Sequence, residues 1–312
     1  MKLRLIFLIF IFSLPSFSQD CSYSIDIDSF FPVTISETQQ TLPYSLRLTR
    51  GQTSSGPNCE NYRLYFGKGN ANSYQRQAFS GSNTVNYNLY KEVNRNTILK
   101  DFSDAGTTEF ITGFAPNKFT PYTSTWYVGV PSIFDNFASA PAGVYTDVLP
   151  VNVYQVRNNG NVEFQTARFL TLSFTVPRFV QVSIVDQNQP HDSSSTTYTM
   201  DFGELSSNQL LRADLRVVGN VGYSVSLTST NGGVLKNTKP NSSSEVSYSI
   251  RVAGGSFFSP TNANSPYFLF DTNSSTDISG NRYPLRVRLG NVASNLDDGD
   301  YSESLIFTIQ AY

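Results

Sequence analysis

Two parts of this chain repeat one another, which restricts it to a fold that can be built twice from short strands. Asn61-Tyr62-Arg63-Leu64-Tyr65-Phe66 and Gly222-Tyr223-Ser224-Val225-Ser226-Leu227 both alternate apolar with polar residues, the mark of strands with one buried face. Tyr87 follows Tyr62 by 25 residues and Tyr248 follows Tyr223 by 25, so both pairs keep one offset of 161. A third block is closer still. Gly143 to Val153 aligns with Gly299 to Ile309 at an offset of 156, in the shared frame G-x-Y-x-[D/E]-x-L-x-[V/F]-x-[V/I]. The second copy is therefore five residues shorter somewhere after Tyr87.

Composition agrees with strands. Aromatics make up 14% and charged residues only 15% of the 312 residues, with much Asn, Ser and Thr between apolar runs and no helical periodicity of useful length. The expected fold is all-β, two tandem immunoglobulin-like β-sandwiches: a signal peptide at 1–18, a first domain at 19–176, and a second at 177–312. Lys2 and Arg4, the apolar run Leu5 to Leu14 and Ser16-Phe17-Ser18 form the export signal. That run is too short to span a bilayer. Export makes a Cys21–Cys59 disulfide the expected state, with two free buried thiols as the alternative. The offset places Val182 and Asn220 opposite the two cysteines, so the second copy lacks the bridge.

Several chemistries are excluded or disfavoured. A net charge of −2 with no basic tract argues against nucleic acid as a partner. One histidine and two cysteines cannot build a zinc cage, and no cofactor or metal site is expected. His191, in a polar run, reads as a solvated loop residue rather than a catalytic base, so no catalytic residue is assigned. Asp297-Asp298-Gly299-Asp300 reads as a turn, and Asn241-Ser242-Ser243 and Asn273-Ser274-Ser275 as chance glycosylation triplets.

The copies differ at their ends. After its G-x-Y strand the first turns at Asn158-Asn159-Gly160 and enters a run in which Val162, Phe164, Leu170, Leu172, Phe174 and Val176 share one parity. The second has no such run in this sequence, which predicts a domain lacking its final strand and a groove lined by Tyr301, Leu305, Phe307, Ile309 and Tyr312. Four or five apolar side chains filling it would contribute roughly 6–15 kcal/mol gross, comparable to a domain's whole stability. A strand donated by another chain is the expected filling, and closure by the domain's own earlier sequence is the alternative. Only Gln19 and Asp20 stand between the expected cleavage site and Cys21, so the expectation is a chain that accepts a strand and donates none.

Cys21, Cys59 before a Tyr-x-Leu strand, Tyr87-Asn88-Leu89-Tyr90 and Ala142-Gly143-Val144-Tyr145-Thr146-Asp147 together resemble the spore coat protein U domain of archaic chaperone–usher pili. Gly299, fourteenth from the end, opens an alternating C-terminal strand similar to that of pilins. Two tandem domains without a donor extension look like the tip adhesin of such a pilus. The resemblance implies a periplasmic pilus chaperone, an outer-membrane usher and an adjacent pilin subunit donating a strand as partners. It also implies passage through the periplasm to the cell surface at the pilus tip. Alternatives are a structural pilus subunit, or a freestanding secreted carbohydrate-binding protein or enzyme.

For an adhesin, apolar residues among turn formers are the candidate contacts: Phe110, Ile111, Phe114 and Phe119 in one stretch, Ile133, Phe134 and Phe137 in another. Exposed, they would bind an apolar surface by area burial. Stacking of Tyr or Trp126 on a glycan receptor is the second possibility, and burial of these aromatics in the core is the third.

Overall fold

The computed structural model of the chain describes residues 21–27, 30–51, 59–136 and 140–312. The expected signal at 1–18 and Phe137 lie outside them. Ten strands form a first unit: β1 (Tyr23–Ile27), β2 (Phe30–Thr34), β3 (Gln40–Arg50), β4 (Asn61–Phe66), β5 (Arg76–Ser80), β6 (Asn83–Tyr90), β7 (Ile111–Phe114), β8 (Pro121–Val130), β9 (Gly143–Val156) and β10 (Val162–Val176). Nine form a second: β11 (Val180–Val185), β12 (Leu210–Gly219), β13 (Tyr223–Ser229), β14 (Val234–Asn237), β15 (Glu245–Val252), β16 (Pro266–Thr272), β17 (Asn281–Leu289), β18 (Tyr301–Ser302) and β19 (Leu305–Ala311). One short helix, α1 (Ile133–Asn136), interrupts the strands. No described strand of one unit pairs with a strand of the other.

The units repeat strand for strand. The first runs β1-β3-β8-β6-β5-β9, with β4 pairing both β7 and β9. The second runs β11-β12-β17-β15-β14-β18, with β13 pairing both β16 and β19. Even a buried tie is shared. The Asp147 carboxylate accepts hydrogen bonds from Asn70 N at 2.8 Å and Tyr87 Oη at 2.5 Å. At the matching positions Glu303 accepts from Asn231 N at 3.1 Å, and Tyr248 reaches it through Ser229 Oγ. Gly69 beside this tie has φ +71°, and a Cβ there would collide with the Asp147 carboxylate. Glu303 also accepts from Ser229 Oγ and Thr230 N, and it lies where the second G-x-Y strand divides into β18 and β19.

The two strands of the first unit left over from this correspondence are β2 and β10. β10 pairs antiparallel with β9 over most of its length and parallel with β2, closing the unit around one core. Phe164 was expected inward but is exposed, because Gln165 is an extra residue in the ladder between Phe164/Tyr154 and Thr166/Val153. This bulge shifts the phase by one, so that only Leu170, Leu172, Phe174 and Val176 keep the expected inward parity.

The Cys21–Cys59 bridge is formed, with Cα atoms 5.6 Å apart. In the second unit Asn220 stands in for it. Its side chain accepts from Phe179 N at 2.8 Å and donates to Pro177 O at 3.0 Å, clamping the entering chain by hydrogen bonds instead of a covalent link.

Candidate functional site

Among the described residues, the second unit has no strand at the place that β10 takes beside β9. Tyr145, Leu149, Val151 and Val153 on β9 are buried, none more than 1% exposed. Tyr301, Leu305, Phe307 and Ile309, the same positions 156 residues later, are all partly exposed. Pairing repeats the contrast at one strand. β9 has strand partners on both edges, whereas β19 pairs only with β13 among the described residues; β11, like its counterpart β1, has one strand partner. Between β11 and β19 runs a cleft of about 740 Å³, floored by Leu235, Tyr248, Leu285 and Val287 and walled by Val182 and Ile184 on one side and Leu305 and Phe307 on the other.

Tyr312 does not belong to it. Period two puts Tyr312 on the opposite face from Leu305, and its hydroxyl donates to Thr272 O at 2.9 Å beyond β13. Ile309 does not line the cleft; it packs against the core cluster of Leu215, Val217, Tyr223 and Val225.

A segment absent from the expected site lies across the cleft. After Ile184 N donates to Ser195 O at 3.1 Å, the chain leaves the β11 edge. Tyr198, Met200, Phe202 and Leu205 then pack on the core as a strap. Residues 197–205 form no strand and no backbone-to-backbone hydrogen bond; their anchors are side chains, such as Gln209 Nε2 donating to Phe202 O at 2.6 Å. The strap takes the chain position of β2, between the first two strands of the sheet. In the first unit β2 pairs with β10, and among the described residues the strap has no such partner. Its alternation Tyr198-x-Met200-x-Phe202 was visible in the sequence and was obscured by the surrounding Ser and Thr.

The apolar candidates in the first unit divide. Phe110, Ile111 and Ile133 are buried, and residues 111–114 are strand β7 rather than loop. Phe134 packs on the core edge-to-face with Phe179, ring centroids 5.3 Å apart. Phe114 and Phe119 are exposed, at 54% and 64%. Trp126 is wholly buried and unavailable for stacking on a sugar.

His191 is not the solvated residue expected. It is partly buried, its Nδ1 lying 2.9 Å from the buried Ser183 hydroxyl, and burial lowers its pKa from the ordinary histidine value. Its neighbour Asp192 is engaged with Ser194, so no carboxylate orients the ring as a catalytic base would need.

Residues 38–152 match the Spore Coat Protein U domain. No curated protein matches the chain. Among solved structures, the chain is similar to the chaperone–tip adhesion subunit pre-assembly complex (CsuC–CsuE) of archaic chaperone-usher Csu pili of Acinetobacter baumannii. The identity is 14%, over 93% of this chain and 100% of that one, with a TM-score of 0.44. It is similar to the CupB6 tip adhesin of Pseudomonas aeruginosa at 11% identity, over 93% and 96% of the two chains, with a TM-score of 0.40.

Proposed function

We propose that this chain, whose first unit carries a spore coat protein U domain, is the tip adhesin of a chaperone–usher pilus. It is held in the pilus by a strand donated into the groove between β11 and β19. One observation carries the reading: among the described residues the second unit repeats the first except for β2 and β10, and the side chains buried on β9 beside β10 have partly exposed counterparts in the second. Strand addition fits this vacancy, since it supplies both the missing ladder and alternate apolar side chains. A periplasmic chaperone would fill the groove during export, and the adjacent pilin subunit would fill it at the usher. The first unit is closed by its own β10, which takes the place that the groove has in the second and leaves the surface of this unit for attachment. Phe114 and Phe119 are the candidate contacts there.

The sequence of β10 supplies a probe. A labelled peptide copying residues 168–176 presents Leu170, Leu172, Phe174 and Val176 on one face. It is expected to bind the full chain saturably, and Leu305→Asp or Phe307→Asp should abolish binding. The strap favours one other reading, a second unit sealed by its own residues 198–205. If a Met200→Ser chain with a loosened strap still takes up no peptide, that reading replaces strand donation.

A further inference from the structure

The second unit also carries a row of uncompensated positive charge on the outer face of the sheet, opposite its core. Arg286 on β17 is directly opposite Arg212 on β12 and directly opposite Arg251 on β15. Adjacent strands lie about 4.8 Å apart, so three guanidiniums start from neighbouring positions across three strands. Arg288 stands two residues along β17 on the same face. Like charges directly opposite on paired strands destabilise a sheet. Arg251 first, with Arg212, pulls the Arg286 pKa below the usual arginine value, as unrelieved repulsion does.

None of these four arginines has an ion pair or a side-chain hydrogen bond among the described residues. The two carboxylates on the same strand faces do not relieve them. Asp214 is bound by Arg282 at 2.7 Å, and Glu245 lies at the far end of β15. What the arginines do contact is aromatic: Arg288 sits over the Phe257 ring at 4.2 Å and Arg251 over the same ring at 5.1 Å. The repulsion is therefore a cost to folding in a chain whose net charge is −2.

We propose that this face, Arg212, Arg286, Arg251 and Arg288 around Phe257, docks an acidic segment of a partner protein. Guanidinium forks match carboxylates in pairs, and a carboxylate between two neighbouring arginines relieves the repulsion. The composition favours a protein over a polyanionic membrane or nucleic acid. The row is all arginine with an aromatic at its centre, the pattern enriched at protein interfaces, from which lysine is depleted. The overall negative charge gives no long-range field for nucleic acid. This docking does not depend on what fills the groove.

The test measures binding of the full chain to immobilised poly-L-glutamate at moderate salt, with duplex DNA and phosphatidylglycerol vesicles as separate arms, alongside the melting temperature. Arg212→Ser with Arg286→Thr is expected to weaken poly-L-glutamate binding about tenfold or more. The same variant should leave the melting temperature unchanged or higher, because a repulsion is removed. Arg168→Thr, an exposed arginine of the first unit, should change neither. Arg212→Ser alone, at the exposed end of the row, should act in the same direction and covers a double variant that fails to fold. Equal binding by parent and variants, tighter binding to DNA or vesicles than to poly-L-glutamate, or a lower melting temperature in Arg212→Ser would overturn the proposal.

Discussion

Leu149 and Leu305 hold the same place in the repeat, and truncating each measures what covers it. Leu149 is fully buried beneath β10, so Leu149→Ala should cost about 2–5 kcal/mol. Leu305 is partly exposed, and Leu305→Ala in the free chain should cost less than Leu149→Ala, about 1–2 kcal/mol, since it gives up less buried area. Chemical denaturation of the two variants reads the difference directly. His191 supplies a pH signature. Burial, joined by Arg216 and opposed by Asp192, lowers its folded pKa, so the unfolded chain takes up the proton more readily. Its contribution is intact above the ordinary histidine pKa of about 6.5 and is lost as pH falls below it. Relative to His191→Gln, the parent chain should therefore lose stability between about pH 7 and 5. A parent profile parallel to the variant's would contradict this.

Among the elements, alternation made β4, β6, β9, β13 and β15 legible, because each buries apolar residues at alternate positions, although Tyr65 on β4 and Asn88 on β6 are buried on the other face as well. The G-x-Y frame fixed the correspondence of β9 with β18 and β19 to the residue. It did not foretell the split at Glu303, where the carboxylate binds Thr230 N and Asn231 N, residues about 70 positions away in the chain. Nor was the bulge at Gln165 legible, since one extra residue in a ladder leaves no mark on an apolar run. Phe110 and Ile111 read as loop residues because Gly113 and Pro116 follow, yet they fold inward on β7 and the turn before it. The strap is where element and groove meet. With Met200 and Phe202 both changed to Ser, the strap loses its anchoring contacts. Uptake of the 168–176 peptide should then be faster than in the parent by about tenfold, as expected when a competing conformation is removed. Identical uptake rates would mean that the strap does not occupy the peptide's place.

At the scale of the whole molecule, one strand pattern is folded twice, with a closing strand in the first unit and none among the described residues of the second. The first unit combines a covalent clasp at Cys21–Cys59, a continuous β9 and a self-supplied β10. The second has Asn220 in place of the clasp, two pieces in place of β9, and a β19 edge without the strand partner that β10 gives β9. Elements short of partners open at lower free energy than elements paired on both sides, so the units should differ in local stability within a single chain. Amide hydrogen exchange on the full chain, with and without the 168–176 peptide, tests this claim most directly. The account predicts slow exchange in β9, and fast exchange in β19 and β11 that becomes slow when the peptide is bound. Protection of β19 equal to that of β9 in the free chain, unchanged by the peptide, would contradict it.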